Sequence, residues 1–312
     1  MKIFKYSILV FALSLVVLSC KKEAVEIVDP IVQSNVSEQG SNDESARDEY
    51  DRSVDDVFFA LEKTSFGSRS TDSTVILPCG VIRIDTTGGV YKIVYGKNCG
   101  KRVLSGSISA TLIASNKKWQ DTGAVVRLDY SNYTVKFDAN GQTLIFNGSL
   151  FVTNVNGGLI YETVLFGKTI VHGVRGNIKV TFDNGKTRDW HVYKKRTYST
   201  PTKKTADITL ELSADSAGNI AEIGTNKAGD QFITTIPVPY VMENCNTSGT
   251  FTGPFVMTRG KLTYTVGPNS LTAEPGYALV SGVITPRNDC NSTGYKLTWN
   301  ITGITTEKFQ YY

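Results

Sequence analysis

The chain has 312 residues, with 33 Lys and Arg against 29 Asp and Glu, two His and five Cys. This length allows one large domain or two smaller ones, and an apolar share of 40% excludes a wholly disordered chain. Because His172 and His191 are the only histidines, catalysis that depends on an imidazole group is disfavoured.

Residues 1–19 have the composition of a signal peptide. Lys2 and Lys5 make a positive start, and the apolar run from Tyr6 to Leu18 is too short to span a bilayer. The run ends in Val17-Leu18-Ser19-Cys20, which resembles the bacterial lipobox. That resemblance implies acyl chains such as palmitate on Cys20 and attachment to the membrane through this lipid anchor. The alternative is an ordinary signal peptide in which Cys20 has no role.

Residues 20–41 are expected to form a flexible tether behind the lipidated cysteine, since the segment is rich in Ser, Gln, Asn and Glu. The charge along the mature chain is strongly divided. Residues 21–72 carry a net charge of −7, whereas residues 73–312 carry +9. An acidic leading segment is therefore followed by a basic body.

A short amphipathic helix is predicted over residues 42–66. Its apolar residues recur at the helical period and lie on one face, namely Tyr50, Val54, Val57, Phe58 and Leu61. Ser41 or Asn42 is the expected cap, and acidic residues follow in the first turns. We expect the apolar face to pack against the body; binding to a partner is the alternative.

Residues 73–312 predict an all-β body, because apolar and polar residues alternate along each segment. Examples are Ile178 to Phe182 and Tyr295 to Ile301, and this alternation is typical of antiparallel strands with one buried face. Asn140-Gly141, Gly157-Gly158 and Asn184-Gly185 are predicted hairpin turns, and a shift in phase indicates a bulge near Ser131-Asn132.

The expected architecture is an antiparallel β-sandwich or two tandem β-subdomains. A seam between subdomains is predicted near residues 199–204, where a basic strand gives way to a polar stretch that contains Pro201. A body of about 240 residues is large enough to bury a core without a metal or cofactor, and none is predicted.

Four cysteines lie in the body, and a secreted chain is expected to oxidise them. Three pairings are open, of which we favour Cys79–Cys99 and Cys245–Cys290 because the members of each pair are nearest in sequence. A zinc site is the alternative, but the spacings are wide and no histidine is nearby.

The segment from Lys186 to Tyr198 combines aromatic and basic residues. Trp190 and Val192 are expected to point inward, while Tyr193 and Lys195 share the opposite face with His191. Tyr193, Lys195 and Arg196 are candidate ligand-binding residues, and Trp119, which follows two lysines, is a candidate exposed platform. The alternative is an exposed strand whose Lys and Arg residues discourage edge pairing.

The order of these features resembles a group of uncharacterised β-rich outer-membrane lipoproteins of Bacteroidetes-type bacteria. The resemblance rests on the lipobox, the acidic helix "ESARDEYDRSVDDVFFALEKT" and four later segments: "GKNCGKRVLSGSISATLI", "VKFDANGQTLIFNGSLFVTN", "IKVTFDNGKTRDWHVYKKRTYST" and "CNSTGYKLTWNITG". Residues 100–106 depart from the group and keep only its Arg and Gly. The resemblance implies an envelope-anchored β protein and no particular activity. Lys21-Lys22-Glu23 loosely resembles the short charged signal by which some such lipoproteins reach the cell surface, so the side of the membrane stays open.

Three functions are compatible with these features. The first is a non-enzymatic binding module of the cell envelope that takes a glycan or a protein partner; nucleic acid is disfavoured as a partner. The second is an envelope hydrolase that uses a pair of carboxylates. The third is a structural subunit of an envelope assembly, docked through an edge strand or through the Tyr50–Leu61 helix face.

Overall fold

The computed structural model describes residues 45–58, 61–62, 77–113, 116–138, 141–202, 207–245 and 255–311. The predicted signal peptide, Cys20, the tether and the helix caps Ser41 and Asn42 lie outside these ranges and remain predictions. Among the residues that the structure describes, none of the helices has the length and apolar character needed to cross a membrane.

Antiparallel strands make up most of the described chain, which confirms the predicted all-β body. Helix α1 covers residues 45–58, residues 61–62 are also helical, and a one-turn helix α2 covers Glu162–Phe166. The strands are β1 (Val81–Thr87), β2 (Val90–Tyr95), β3 (Asn98–Cys99), β4 (Arg102–Leu112), β5 (Ala124–Phe137), β6 (Thr143–Asn154), β7 (Ile170–Phe182), β8 (Thr187–Ser199), β9 (Thr209–Ala214), β10 (Ile220–Thr225), β11 (Gln231–Asn244), β12 (Phe255–Val266), β13 (Asn269–Val280), β14 (Val283–Pro286), β15 (Gly294–Ile301) and β16 (Ile304–Tyr311).

Within the described residues these sixteen strands form a single sheet. Its order is β1-β2-β4-β5-β6-β7-β8-β10-β11-β12-β13-β15-β16, with β3, β9 and β14 paired beside this path. Along the edge of β8 that does not face β7, two strands are paired in succession. Strand β10 pairs with the first half of β8, and β9 pairs with the second half. The strands on either side of the predicted seam near residues 199–204, β8 and β9, are therefore paired with each other in the sheet. Ser199 lies opposite Thr209.

The alternation read from the sequence is present in the strands. Ile178, Val180 and Phe182 are buried in β7, and the four apolar residues from Tyr295 to Ile301 are buried in β15, including Trp299. The predicted bulge is confirmed, because the register between β5 and β6 shifts between Tyr130 and Tyr133.

Two of the three predicted turns can be compared with the structure. Asn184-Gly185 connects β7 and β8 as predicted, with the Gly185 amide donating to the Phe182 carbonyl at 2.9 Å. The prediction of a hairpin turn at Gly157-Gly158 was wrong, because a longer connection that contains α2 separates β6 from β7. Asn140 lies outside the described residues.

Helix α1 packs against one face of the sheet, here called the inner face; the opposite face is the outer face. All five residues of its predicted apolar stripe are at most 1% exposed, namely Tyr50, Val54, Val57, Phe58 and Leu61. The expected packing on the body is confirmed. Because the stripe is used within the chain, it is not available as the docking face of a structural subunit.

The sheet curves around the helix. Glu49 of α1 forms an ion pair with Arg102 on β4, and Arg47 forms one with Glu222 on β10. These two strands are five strand spacings apart, which is about 24 Å in a flat sheet. A helix with its side chains is only about 10–12 Å wide, so a flat sheet could not bring both strands to it.

Glycines in the central strands permit this close, bent arrangement. Gly148 on β6 and Gly176 on β7 have φ values of 122° and 150°. A Cβ atom at either position would lie 2.3 Å from a backbone carbonyl oxygen of the neighbouring strand. Any other residue there would push the strands apart, because its Cβ atom would overlap that oxygen.

Both favoured disulfides are present. Cys79 is bonded to Cys99 and Cys245 to Cys290, with sequence separations of 20 and 45. The first bond closes the start of the sheet, and the second joins the end of β11 to the loop before β15.

Candidate binding surface and the ionic cluster behind it

The basic-aromatic segment of the sequence is strand β8, and its two faces have different roles. Trp190 and Val192 point inward, while His191, Tyr193 and Lys195 lie on the outer face, as predicted. Arg196, also predicted as a candidate ligand-binding residue, shares the inner face with Trp190 and is only 1% exposed.

Two carboxylates of α1 neutralise the inward cations of β8. The Asp51 carboxylate accepts hydrogen bonds from Lys194 Nζ at 2.9 Å and from Arg196 Nη1 at 3.0 Å. The Asp55 carboxylate accepts from Arg196 and, at 3.0 Å, from the Tyr198 hydroxyl. Burial raises the pKa of Asp55 despite the nearby Arg196 guanidinium.

Glu222 on β10 completes this group. Its carboxylate accepts from Arg47 Nε at 3.1 Å and lies 2.9 Å from Lys194 Nζ. Burial alone would raise the pKa of Glu222, but Arg47 and Lys194 outweigh that effect and hold it well below its usual range.

We call these six side chains the ionic cluster: Arg47, Asp51, Asp55, Lys194, Arg196 and Glu222. Its three cations and three carboxylates balance, so its formal net charge is zero. Buried pairs of this kind are costly to break because the remaining charge loses its partner in a place that water does not reach. The ionic cluster therefore fixes α1 on the sheet, and all of its side chains are buried except Asp55, whose side chain is 33% exposed.

Trp119 is also in the core, which corrects its predicted role as an exposed platform. Its ring stacks on Phe58 at 4.7 Å between centroids and lies 4.9 Å from the ring of His172. Its backbone carbonyl accepts a hydrogen bond from the Asn154 amide at 2.9 Å. The loop that holds Trp119 folds inward because α1 offers an aromatic surface that the sequence pattern did not reveal.

His172 lies in the same aromatic group, between Phe58, Trp119 and Tyr198. Both ring nitrogens are buried, and neither has a hydrogen-bond partner among the described residues. Burial, with a smaller effect of Arg196, lowers the pKa of His172 to about 3. His172 is therefore neutral at physiological pH.

The outer face of β5 to β8 presents a different set of side chains. The strand register places Arg127, Phe151, Arg175 and Tyr193 side by side, one from each strand. We call these four residues the outer row. Phe151 is 43% exposed, unusual for a phenylalanine, and an exposed arginine flanks it on either side. Four adjacent strands place the ends of the outer row about 14 Å apart.

A second row of polar side chains lies beside the outer row, two residues away on each strand. It consists of Asp129, Ser149, Asn177 and His191, and we call it the polar row. The Ser149 hydroxyl donates to Asp129 at 2.7 Å, and Asn177 Oδ1 lies 2.6 Å from His191 Nδ1. These bonds hold the polar side chains in fixed positions.

Salt bridges fix the two arginines of the outer row. Arg127 Nε donates to Asp129 at 2.8 Å, and Arg175 Nε donates to Asp215 at 3.0 Å. Lys195 lies on the same face, two residues after Tyr193 on β8, and is paired with Gly173 on β7. Of the sequence-predicted site residues, Tyr193 and Lys195 are thus brought together on one surface, whereas Trp119 and Arg196 are buried behind it.

Sequence reasoning missed Phe151, Arg127 and Arg175. Their positions in the alternation of β5, β6 and β7 indicate an outward direction, but their alignment depends on the strand register. An exposed phenylalanine flanked by arginines can bind planar or ring-shaped groups, and the polar row adds hydroxyl, amide and carboxylate groups for hydrogen bonds. The described part of the chain holds no group of three or more His, Cys, Asp or Glu side chains placed to bind a metal ion.

Comparison of the chain with protein-family models, with curated proteins and with solved structures finds no match.

Proposed function

We propose that this chain is a lipid-anchored protein of the bacterial cell envelope whose β body binds a glycan on its outer face. The observation that carries the proposal is the exposed outer row beside the polar row. The aromatic rings of Phe151 and Tyr193 match the apolar C–H faces of sugar rings, and the polar row matches their hydroxyl groups.

The two arginines extend this match to acidic glycans. A guanidinium group can bind a carboxylate, sulfate or phosphate with two parallel hydrogen bonds. Arg127 and Arg175 flank Phe151, so an anionic substituent on a bound sugar would lie within reach of either one. The proposal is a non-enzymatic binding module for such a glycan, which acts without a cofactor.

Membrane attachment through Cys20 is the second part of the proposal. It is supported by the lipobox at residues 17–20 and by the resemblance to outer-membrane lipoproteins. Changing Cys20→Ala should move the protein from the detergent-requiring membrane fraction of the cells to the soluble fraction. A variant that stays in the membrane fraction would contradict the lipid anchor.

The glycan proposal is tested by screening the protein on a glycan array before and after Phe151→Ala and Tyr193→Ala. Tyr311→Ala is the matched control, because Tyr311 is 63% exposed but lies on β16, far from the outer row in the strand order. We expect the first two changes to abolish binding and the third to leave it unchanged. The glycan proposal is wrong if the protein binds no glycan on the array. If it then captures a protein partner and this capture requires Phe151, the outer row binds a protein instead.

The edges of the sheet favour a binding module over a subunit that docks by strand pairing. Edge strand β1 carries Arg83 and Asp85, which form an exposed salt bridge, and edge strand β16 carries Glu307 and Lys308. Charged side chains on an edge strand oppose its pairing with another sheet.

A further inference from the structure

The connection between β6 and β7 exposes a group of large apolar side chains at one end of the molecule. Val155, Tyr161, Leu165 and Phe166 form this group, which we call the apolar tip. Leu165 and Phe166 are 60% and 68% exposed, and both lie on α2. Apolar side chains of this size are normally buried, so the presence of Tyr161, Leu165 and Phe166 within six residues indicates a surface that contacts an apolar partner.

The apolar tip is held firmly from behind. Leu159 and Ile160 are buried, and the Ile160 amide donates to both carboxylate oxygens of Glu62 at 3.0 Å. The Thr200 hydroxyl donates to the buried Thr163 hydroxyl at 3.0 Å. Leu165 and Phe166 are thus exposed on a braced turn rather than on a frayed one.

The loop that supports the apolar tip also brings lysines to it. The Gly158 amide donates to the Gln120 carbonyl, which joins the loop that carries Lys117 and Lys118 to the connection that carries the tip. Lys168 follows α2 after one intervening residue and forms an ion pair with Glu162 at 3.5 Å. Asp121 and Glu162 are the carboxylates on these segments; Glu62 also lies here, but burial raises its pKa to about 8, so at neutral pH the three lysines leave a net charge of +1. Apolar side chains bordered by lysines are typical of surfaces that enter the interface of an anionic membrane.

The position of α1 relates the apolar tip to the predicted anchor. Glu62 accepts a hydrogen bond from the Ile160 amide next to the tip, whereas residue 45 lies at the other end of α1. The helical rise places residue 58 about 20 Å from residue 45. From there, 25 residues lead back to Cys20. A coil of that length, as the composition predicts, spans on average about 25–30 Å. The tether therefore has the length needed to return to the plane of the apolar tip.

We propose that the apolar tip contacts the bilayer that holds the acyl chains of Cys20, with Leu165 and Phe166 in the membrane interface. The protein then has two attachments, one covalent lipid and one protein surface, which hold the body in a fixed orientation. This inference rests on the proposed lipid anchor.

The test uses the acylated full-length protein in vesicles of phosphatidylcholine and phosphatidylglycerol, with and without bromine on the acyl chains. Phe166→Trp places a reporter on the tip, and Tyr311→Trp places one on an equally exposed site elsewhere. The native tryptophans Trp119, Trp190 and Trp299 are all buried, so they give a constant background. We expect the emission of Phe166→Trp to shift to the blue and to be quenched by bromine, while Tyr311→Trp shows neither change.

Each other outcome has a distinct meaning. If both variants float with the vesicles but Phe166→Trp is not quenched, the anchor stands and the tip contact is wrong. If neither variant floats, the anchor itself is wrong, and the tip contact falls with it. A blue shift that depends on protein concentration without vesicles would show that a second copy covers the tip, which also overturns the proposal. Leu165→Trp repeats the test if Phe166→Trp does not fold.

Discussion

Removal of one carboxylate from the ionic cluster should destabilise the protein far more than removal of a similar carboxylate at the surface. Asp51→Asn keeps the size and shape of the side chain but takes away its charge. Asp51 is 3% exposed and neutralises both Lys194 and Arg196, each 1% exposed. The change leaves those two cations with one negative charge fewer in a region that water does not reach.

The size of the effect follows from burial. Breaking a buried ion pair by removing one partner costs about 3–5 kcal/mol, because the remaining charge is left uncompensated. The control is Asp85→Asn, since Asp85 also pairs with an arginine at 2.9 Å, but the side chains of Arg83 and Asp85 are 60% and 46% exposed. Exposed pairs of this kind contribute at most about 1 kcal/mol.

The assay is urea unfolding of both variants and the parent at pH 7, followed by circular dichroism. We expect the free energy of unfolding to fall by several kcal/mol for Asp51→Asn and to stay nearly constant for Asp85→Asn. Equal losses in the two variants would refute the conclusion that the ionic cluster holds α1 on the sheet.

Three further changes test the interior. His172→Phe removes two buried ring nitrogens that have no hydrogen-bond partner among the described residues. Because burial lowers the pKa of His172 to about 3, the free energy of unfolding of the parent falls as the pH drops from about 6.5 toward 3. We expect the variant to lack this fall. Asp56→Asn acts at higher pH, because burial, with Asp55 nearby, raises the pKa of Asp56 to about 7. The free energy of unfolding of the parent therefore falls as the pH rises from about 4 to 7. Urea titrations of the variant over that range should show a smaller fall. Changing Cys79 and Cys99 to Ser should lower the free energy of unfolding by roughly 3 kcal/mol, and an unchanged urea midpoint would contradict a stabilising disulfide.

Local periodicity was sufficient to predict the helix face and the strands. The five apolar residues from Tyr50 to Leu61 are spaced so that only a helix brings them together, and all five are buried. The same reasoning placed Trp190 and Val192 inside β8 and Tyr193 outside it. These predictions succeeded because side-chain direction within one element depends only on its own backbone geometry.

The role of the charges in β8 could not be read in the same way. Lys194 and Arg196 have the same parity as Trp190, so alternation places them inside, but their charge argues for an exposed position. Asp51 and Asp55 decide the outcome, and they come from a helix about 140 residues earlier. Burial of a charge depends on its partner, and a partner so distant in sequence leaves no local pattern.

The outer row has the same origin. Phe151 and Tyr193 lie in strands that are not adjacent in the sheet, and Arg175 comes between them only because of the register of β6, β7 and β8. A shift of one residue in either pairing would move Arg175 to the inner face. The sequence predicts the strands, whereas the surface depends on how they are aligned.

The division of roles between the two faces of the sheet is tested most directly by measuring glycan affinity in two variants of the same folded protein. The glycan is the one selected on the array, and the variants are Phe151→Ala on the outer face and Asp51→Asn in the ionic cluster. Titration calorimetry at a temperature where both are folded should show that Phe151→Ala loses binding while Asp51→Asn keeps the parent dissociation constant. Retained binding in Phe151→Ala together with lost binding in Asp51→Asn would contradict the division and place the binding site at the ionic cluster.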